Sequence, residues 1–319
     1  MENQKILDNI VSKNTYEVPT ELEEKVLGRL KTFEEAYLSH EEYYYSGHQF
    51  KLSERFSHVE RLMEDIQPGE VVGIGGYSGT GKTAVTSQFI DDYLDISSTK
   101  GVFVTLEMSN RSFFLRKAME ELTPDYENKV SKQEASEKTV TKKEFREKLF
   151  AKHKNMLLLD NEYSLKNIFA IVEVFKKYLE RNGDNLSVVA IDFAQLLQGG
   201  SDVSLQAAIF QMLKEEAKRL DIIVFVLHQL KSASSPTVEP TPADISGRGE
   251  NYQLMDYMYF IWKKTAEGDI LCMKSSKERW SPSSGIELKR RGMKFYSQAA
   301  TGKSEDDIAK DNGFLGLTK

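Results

Sequence analysis

Residues 76–83 read Gly-Tyr-Ser-Gly-Thr-Gly-Lys-Thr and match the phosphate-binding pattern G-x-x-x-x-G-K-[S/T] at every fixed position. Glycines in such a segment let the backbone turn sharply, so that successive N–H groups point at the β-phosphate of a nucleotide. A helix that follows adds the positive end of its dipole, and the lysine reaches the β- and γ-phosphates. The pattern therefore predicts an ATP site formed by Gly76, Ser78, Gly79, Thr80, Gly81, Lys82 and Thr83.

Two oxygen-bearing side chains are expected to complete this site with a metal ion. Thr83 carries a hydroxyl that can bind Mg²⁺. The apolar run 186–192 ends in Asp192, which is the Walker B arrangement and places a carboxylate beside Thr83. An unrelated acidic strand end is the alternative for Asp192. We therefore predict that Thr83 and Asp192 are the magnesium residues.

Glu107 and Gln229 follow two other apolar runs, 101–106 and 221–228. In an open parallel sheet the active site lies at the carboxyl ends of the strands, where the P-loop also lies. Glu107 is thus a candidate base that orients the attacking water, and Gln229 is a candidate sensor of the γ-phosphate. A solvated strand-end acid and an ordinary strand-end hydrogen bond are the respective alternatives.

The order of elements predicts an α/β fold, with a mostly parallel central sheet flanked by helices. Strands and helices alternate up to Gln229, and short apolar strands then follow between residues 257 and 296, which indicates an antiparallel C-terminal extension. Residues 122–154 are rich in lysine and glutamate and are predicted to form a helical surface excursion. A helix is predicted over 164–181, with these side chains toward the core: Ile168, Ile171, Val172, Val174 and Phe175.

We expect the nucleotide-binding domain to span residues 51–300, between a helical N-terminal arm at 1–50 and a polar tail at 301–319. In the arm, Thr20 and Glu23 fit a capping box. One apolar stripe follows, made of Leu22, Val26, Leu27, Leu30, Phe33 and Tyr37. This stripe either packs on its own domain or docks on a neighbouring subunit.

Composition restricts the partners. The formal net charge of -6 provides no global electrostatic attraction to nucleic acid, so DNA contact would need a local basic surface. Cys272 is the single cysteine and allows no internal disulfide, which suits a reducing cytosol. No apolar run approaches the roughly 18 residues of a membrane span. We therefore expect a cytoplasmic protein without membrane contact.

Taken together, these motifs resemble the RecA-like ATPase core of the DnaB family of replicative helicases over about residues 50–296. The resemblance rests on the order of several short segments. They are Leu106-Glu107-Met108-Ser109 with Arg116 downstream, Val188 to Leu196 with its Gln195-Leu196 end, His228-Gln229-Leu230 where the family has Ser-Gln-Leu, Ser246-Gly247 with Glu250 and Asp256, and Lys277 to Pro282.

The resemblance implies an ATPase that uses ATP and Mg²⁺ as a DNA helicase in DNA replication. It also implies a homo-oligomeric ring, a hexamer in the family, in which Lys277 and Arg279 reach the ATP of the adjacent subunit and single-stranded DNA passes through. The family's amino-terminal helical collar has no counterpart here, so loader and primase contacts are not carried over.

Two other functions remain open at this point. One is a RecA-like recombination or annealing ATPase, whose nucleotide gates a DNA-bound filament without unwinding. The other is an ATP-gated assembly or scaffold protein that does not move on DNA. The loop after Asp192 has no basic residue and the loop after Gln229 begins with Lys231 alone before a Ser/Pro stretch, which keeps the scaffold alternative open.

Overall fold

The computed structural model of the 319-residue chain describes two compact units, Met1–Gln49 and Phe50–Lys319. In the first unit the described positions are 33, 37, 38, 41, 45 and 49. In the second they are 50–122, 131–199, 202–231, 235–245, 250–266, 268–277 and 285–299. Phe33 belongs to a helical position, and its side chain is 93% exposed. The rest of the predicted arm stripe, except Tyr37, and the predicted tail lie outside the described residues.

Nine strands form one sheet in the described part of the chain, in the order β3-β2-β4-β5-β1-β6-β7-β8-β9. Pairing is parallel from β3 to β6 and antiparallel from β6 to β9. The strands are β1 Val71–Gly76, β2 Lys100–Thr105, β3 Met156–Asp160, β4 Leu186–Asp192, β5 Ile223–Gln229, β6 Tyr257–Lys263, β7 Ile270–Lys277, β8 Gly285–Arg291 and β9 Lys294–Ala299.

Helices cover both faces of the parallel part. They are α1 Ser57–Met63, α2 Lys82–Ser97, α3 Asn110–Leu122, α4 Lys132–Thr141, α5 Lys143–Lys152, α6 Leu165–Arg181, α7 Val203–Leu220 and α8 Glu250–Leu254. Because both faces are covered, the central strands β4 and β5 are apolar along most of their length instead of alternating with polar residues. No described helix is long and apolar enough to cross a bilayer.

Two apolar clusters fill the space between the sheet and its helices. One contains Phe89 of α2, together with Phe56 and Phe225. The other contains Ile168 of α6 and Leu213 of α7. Removing one large buried aromatic side chain from such a cluster costs about 3–5 kcal/mol, which is a substantial part of a domain's stability. Packing of both clusters against the same strands fixes where the carboxyl ends of the strands lie.

The predicted fold class is confirmed, with local corrections. Ile171 and Val174 were predicted to face the core, but they are 46% and 70% exposed. The prediction fails because α6 buries a narrow stripe through Leu165, Ile168, Val172 and Leu179, and the remaining apolar side chains lie on its outer face. The antiparallel extension also begins later than predicted, since β6 pairs in parallel with β1 and only then turns.

The lysine- and glutamate-rich excursion is confirmed as helical in its described part, as α4 and α5. Ser131 caps α4 by accepting a hydrogen bond from the Glu134 N–H, and Glu134 accepts one from the Ser131 N–H. This reciprocal cap satisfies backbone donors that the first turn of a helix leaves free, which explains why the helix begins there.

Candidate nucleotide-binding site

The loop between β1 and α2 has the backbone that the sequence pattern requires. Gly79 and Gly81 have φ values of +71° and +93°, a region that disfavours other residues. At Gly76 a Cβ atom would lie 2.7 Å from the Ile261 carbonyl oxygen and 2.8 Å from Thr80 Oγ1, so a side chain has no room. The loop thus presents its backbone at the start of α2, which is suited to phosphate binding.

Lys82 is the first residue of α2 and folds back onto this loop. Its Nζ donates hydrogen bonds to the carbonyl oxygens of Gly76 at 2.9 Å and Tyr77 at 3.1 Å. Burial lowers the pKa of Lys82, while the nearby carboxylates of Asp192 and Glu107 act in the opposite direction. A buried ammonium held by neutral carbonyls gains a stronger partner when a phosphate arrives.

Thr83 and Asp192 are brought together as predicted. Thr83 Oγ1 donates a hydrogen bond to Asp192 Oδ2 at 2.7 Å, and Asp192 is only 2% exposed. Burial raises the pKa of Asp192 to about 6 despite that bond, and the charge of Glu107 raises it further, while the charges of Lys82 and Arg116 lower it. The other oxygen, Oδ1, is buried and has no hydrogen-bond partner among the described residues.

These two side chains fit a magnesium ion. Mg²⁺ takes oxygen ligands and is usually held by one or two protein groups together with substrate phosphates. Asp192 contributes a buried oxygen without a partner, and Thr83 contributes the hydroxyl beside it. Within the described ranges no group of three or more His, Cys, Asp or Glu side chains forms an independent metal site. A magnesium ion here would therefore depend on the bound nucleotide.

Glu107 lies at the same edge of the sheet, directly after β2, and its side chain is exposed. The backbone holds this position next to β4, because Thr105 pairs with Asp192 and the Leu106 N–H donates to the Asp192 carbonyl at 2.9 Å. Its charge acts on both Lys82 and Asp192. An exposed carboxylate beside the phosphate cradle is placed where it can act on a water molecule.

Gln229 is the last residue of β5 and pairs with Gly76, so its backbone lies directly beside the P-loop. The next N–H, from Leu230, donates to the Gly76 carbonyl at 3.1 Å. Before it, His228 is 1% exposed, and burial lowers its pKa to about 4, with Lys82 adding to the effect. The imidazole beneath the site is therefore neutral at physiological pH.

Lys277 and Arg279 were predicted to act on the neighbouring subunit. Lys277 ends β7, and its Nζ donates to the carbonyls of Tyr252 at 3.1 Å, Gln253 at 2.7 Å and Met255 at 2.6 Å. These carbonyls lie at the C-terminal end of α8, where a cation is favoured by the helix dipole. Arg279 lies outside the described residues, and the structure does not bring Lys277 to the P-loop of its own chain.

Sequence reasoning assigned no role to two groups near the site. The Gln195 side chain contacts the backbone of Gln229 through both of its amide atoms. Tyr77, a variable position of the P-loop pattern, is buried in the same cluster as Leu230 and Ile245. Burial raises the pKa of the Tyr77 phenol, and the charge of Asp244 adds to this. Neither contact follows from residue spacing, since both depend on which strand ends are adjacent.

A parallel sheet with a P-loop between β1 and α2, a Walker B aspartate after β4 and a polar residue after β5 defines a P-loop NTPase of the RecA-like class. The sequence profile of the family described as DnaB-like helicase C terminal domain matches residues 52–294. The chain therefore belongs to this family. Among curated protein sequences, none matches the chain.

Two solved structures show the same fold. The first is described as an isolated ATPase domain, with a TM-score of 0.69 and 19% identity, and the match covers 84% of this chain and 99% of that one. The second is described as "The Structure Of A DnaB-Like Replicative Helicase And Its Interactions With Primase", with a TM-score of 0.65 and 18% identity. This match covers 92% of this chain and 74% of that one.

Proposed function

We propose that the chain is an oligomeric, DnaB-like ATPase that hydrolyses MgATP and moves on single-stranded DNA as a helicase or translocase. The observation that carries the proposal is the convergence of Lys82, Glu107, Asp192 and Gln229 at one edge of the sheet. Each residue comes from a different element, and no element needs all four neighbours for its own stability.

Each residue has a chemical task in this proposal. Lys82 exchanges its two carbonyl partners for the β- and γ-phosphate oxygens. Glu107 holds the attacking water by accepting its proton, and Gln229 contacts the γ-phosphate. Thr83 and Asp192 hold Mg²⁺, which, when bound, neutralises charge that develops on the transferred phosphoryl group.

We further propose that Lys277 and Arg279 complete the site of an adjacent copy in a ring, with six copies as the expected number. A permanently charged guanidinium suits the charge on the departing γ-phosphoryl group. This role requires Lys277 to release the carbonyls at the end of α8. Arg279→Ala should abolish the part of the hydrolysis rate that rises with protein concentration, while leaving ATP binding unchanged. An unchanged rate removes Arg279 from the mechanism.

The arm at 1–50 is proposed to dock on a neighbouring copy, because the described apolar side chains Phe33, Tyr37 and Leu38 are exposed. A chain that begins at residue 49 should then remain monomeric at concentrations where the full chain assembles. Sedimentation velocity measures this directly. Assembly of the shortened chain at the same concentration contradicts the docking role, without affecting the ATP site.

Single-stranded DNA is proposed to contact the loops that follow Asp192 and Gln229. In the second of these, the described residues 235–245 include Glu239, which pairs with Lys274 at 2.8 Å, and Asp244. Backbone N–H groups and hydroxyls also contact phosphates, so a loop with few lysines can still bind DNA. The acidic residues are the observation that favours the second candidate, an ATP-gated assembly protein that does not move on DNA.

The deciding experiment is ATP hydrolysis with and without single-stranded DNA, over a series of protein concentrations, with Lys82→Ala as the blank. Stimulation by DNA together with strand displacement supports the helicase. Stimulation without displacement favours a RecA-like recombination or annealing ATPase. A rate that rises with protein concentration but ignores DNA favours the assembly protein. Hydrolysis at the level of the blank in every condition rules out the ATPase.

A further inference from the structure

The carboxyl ends of β4 and β5 are joined differently from the other strand ends at the site. The ladder between β1 and β5 continues to Gly76 and Gln229, and the ladder between β2 and β4 continues to Thr105 and Asp192. Between β4 and β5 the pairing ends earlier, at Ile191 and Val226. The proposed metal residue Asp192 and the proposed sensor Gln229 therefore lie on two strands that no longer pair with each other at this edge.

A side chain bridges these two strand ends. Gln195 Nε2 donates to the Gln229 carbonyl oxygen at 2.7 Å, and the Gln229 N–H donates to Gln195 Oε1 at 3.3 Å. The primary amide thus exchanges two hydrogen bonds with one residue, as a directly opposed residue of an antiparallel strand does. In this way it satisfies a backbone donor and a backbone acceptor of Gln229 that the β4 backbone does not reach.

The bridge is anchored on both sides. Gln195 belongs to the 3₁₀ turn Ala194–Leu196, in which the Leu197 N–H donates to the Ala194 carbonyl at 3.1 Å. Ala194 and Leu197 are each 3% exposed, so apolar packing holds the turn that carries the amide. On its other side, β5 is tied to the P-loop by the bond from the Leu230 N–H to the Gly76 carbonyl.

We infer that Gln195 is a positioning residue that fixes the backbone of Gln229 relative to Asp192 and joins the roots of the two proposed DNA loops. The inference rests on the proposed role of Gln229 as sensor of the γ-phosphate. With the amide in place, a shift of the Gln229 backbone also moves the turn that starts the loop after Asp192. A change at the γ-phosphate is thus passed to both loops together.

Gln195→Met tests the bridge, because methionine keeps the length of the side chain and lacks both amide partners. Gln198→Met is the matched control, since Gln198 follows in the same loop and its side chain is exposed. In nucleotide-free protein, amide hydrogen exchange in a peptide covering residues 226–231 should be faster in Gln195→Met by roughly three- to tenfold, as expected for the loss of one modest hydrogen bond. The control should match wild type. Unchanged exchange in Gln195→Met overturns the bridge.

Gln195→Glu adds a more conservative variant. The carboxylate still accepts from the Gln229 N–H, but it places an acceptor oxygen against the Gln229 carbonyl in place of a donor. It should disturb Gln229 at least as much as Gln195→Met does. A Gln195→Glu variant that behaves as wild type in exchange and in hydrolysis shows that the 2.7 Å contact has no positioning role.

A double-mutant cycle with Gln229→Ala separates the inference from the proposed function. Turnover and the affinity ratio for ATPγS over ADP are measured in both single variants and in the double variant. If Gln195 acts through Gln229, the double variant is no worse than Gln229→Ala alone. Full additivity of the two losses overturns the inference and leaves the sensor role intact. Wild-type turnover and discrimination in Gln229→Ala overturn the sensor role and the inference together.

Discussion

Helix α2 carries two buried groups of charged residues, and the comparison between them shows which one is built for a ligand. At its N-terminal end, Lys82 and Thr83 face Asp192, whose Oδ1 has no hydrogen-bond partner among the described residues. Two turns further on, Asp91 lies against charged side chains of other elements. Burial raises the pKa of Asp192 to about 6, whereas the pKa of Asp91 is lowered to about 2.

The second group compensates its own charge. Lys117 Nζ lies 2.8 Å from Asp91 Oδ2 and 3.1 Å from Glu120 Oε2, and His153 Nδ1 lies 3.1 Å from the same Asp91 oxygen. Burial opposes ionisation of Asp91, but Lys117 and His153 outweigh it. We call Asp91, Lys117, Glu120 and His153 the internal ion cluster. It joins α2 to α3 and to the end of α5.

The difference teaches how burial is used. In the internal ion cluster the partners are protein groups, so the free energy of burial is recovered during folding. At the nucleotide site Asp192 is buried with only a hydroxyl partner, and the missing positive charge has to come from a ligand. The predictions below test this distinction in order of decreasing expected effect.

Lys117→Met should give the largest loss of stability, because it leaves Asp91 and Glu120 buried without their shared cation. Breaking a buried ion pair from one side costs about 3–5 kcal/mol. Urea unfolding measures the loss, with Lys143→Met as the control because Lys143 is on the surface. A loss below about 1 kcal/mol means that the internal ion cluster does not stabilise the fold.

Glu107→Gln should act on the other quantity, turnover, and leave stability unchanged because Glu107 is exposed. Loss of a base that positions water lowers the rate by about 10²–10⁴-fold. Steady-state hydrolysis with a parallel nucleotide-binding assay checks this, and Glu144→Gln on the exposed face of α5 is the matched control. Turnover within a fewfold of wild type assigns Glu107 to the solvated surface.

Asp192→Asn and Asp91→Asn should shift stability in opposite directions in metal-free, nucleotide-free protein at about pH 7.5. The first removes a carboxylate that burial disfavours, and should raise the free energy of unfolding by about 2 kcal/mol. The second removes a carboxylate that its partners favour, and should lower the free energy of unfolding by about 2–3 kcal/mol. Asp192→Asn should also lose the stabilisation that MgADP gives to wild type.

Equal signs for these two variants contradict the distinction between the two charge groups. Loss of stability in both indicates that the Thr83–Asp192 bond is itself structural. A gain in both indicates that the internal ion cluster is also strained.

His228 predicts a pH dependence with a definite sign. Its pKa is lowered from 6.5 to about 4 in the folded state, so the unfolded chain binds a proton in a window where the folded chain does not. Stability from this group is therefore present above about pH 6.5 and is lost as the pH falls toward 4. Between pH 7 and 5 the loss should be roughly 1–2 kcal/mol.

His228→Asn should remove this part of the slope, so the difference between the two unfolding curves isolates it from other titrating groups. Parallel curves for wild type and variant across that same pH interval contradict the assignment.

The smallest effect is expected on the surface. Lys143 and Glu147 are 3.5 Å apart on α5, and both are largely exposed. Replacing both with alanine should change the free energy of unfolding by less than about 0.5 kcal/mol, since water and salt screen exposed pairs. The pair sets the scale against which the internal ion cluster is judged, and a change above about 1 kcal/mol at this pair weakens the comparison.

Much of the fold follows from local sequence. The P-loop, the apolar runs that end at Asp192 and Gln229, and the alternation of strands and helices are short-range patterns, and they were sufficient to predict the fold class and the pairing of Thr83 with Asp192. Such patterns succeed because glycine conformations, strand periodicity and the reach of Lys82 depend on neighbours in the chain.

Only the tertiary structure decided the rest. The exposure of Ile171 and Val174 depends on how widely α6 is covered by the sheet and α7, and a helical stripe alone does not reveal that width. The internal ion cluster takes its cation from α3 and its histidine from the end of the α4–α5 excursion, which by composition resembles solvated surface.

The contact between Gln195 and Gln229 bridges strand ends that are 34 residues apart in sequence. The sequence by itself determined which residues are able to hold a nucleotide. The packing of the strands decided which of their charges and amides meet, because hydrogen bonds and ion pairs depend on distances of a few ångströms that only the folded chain defines.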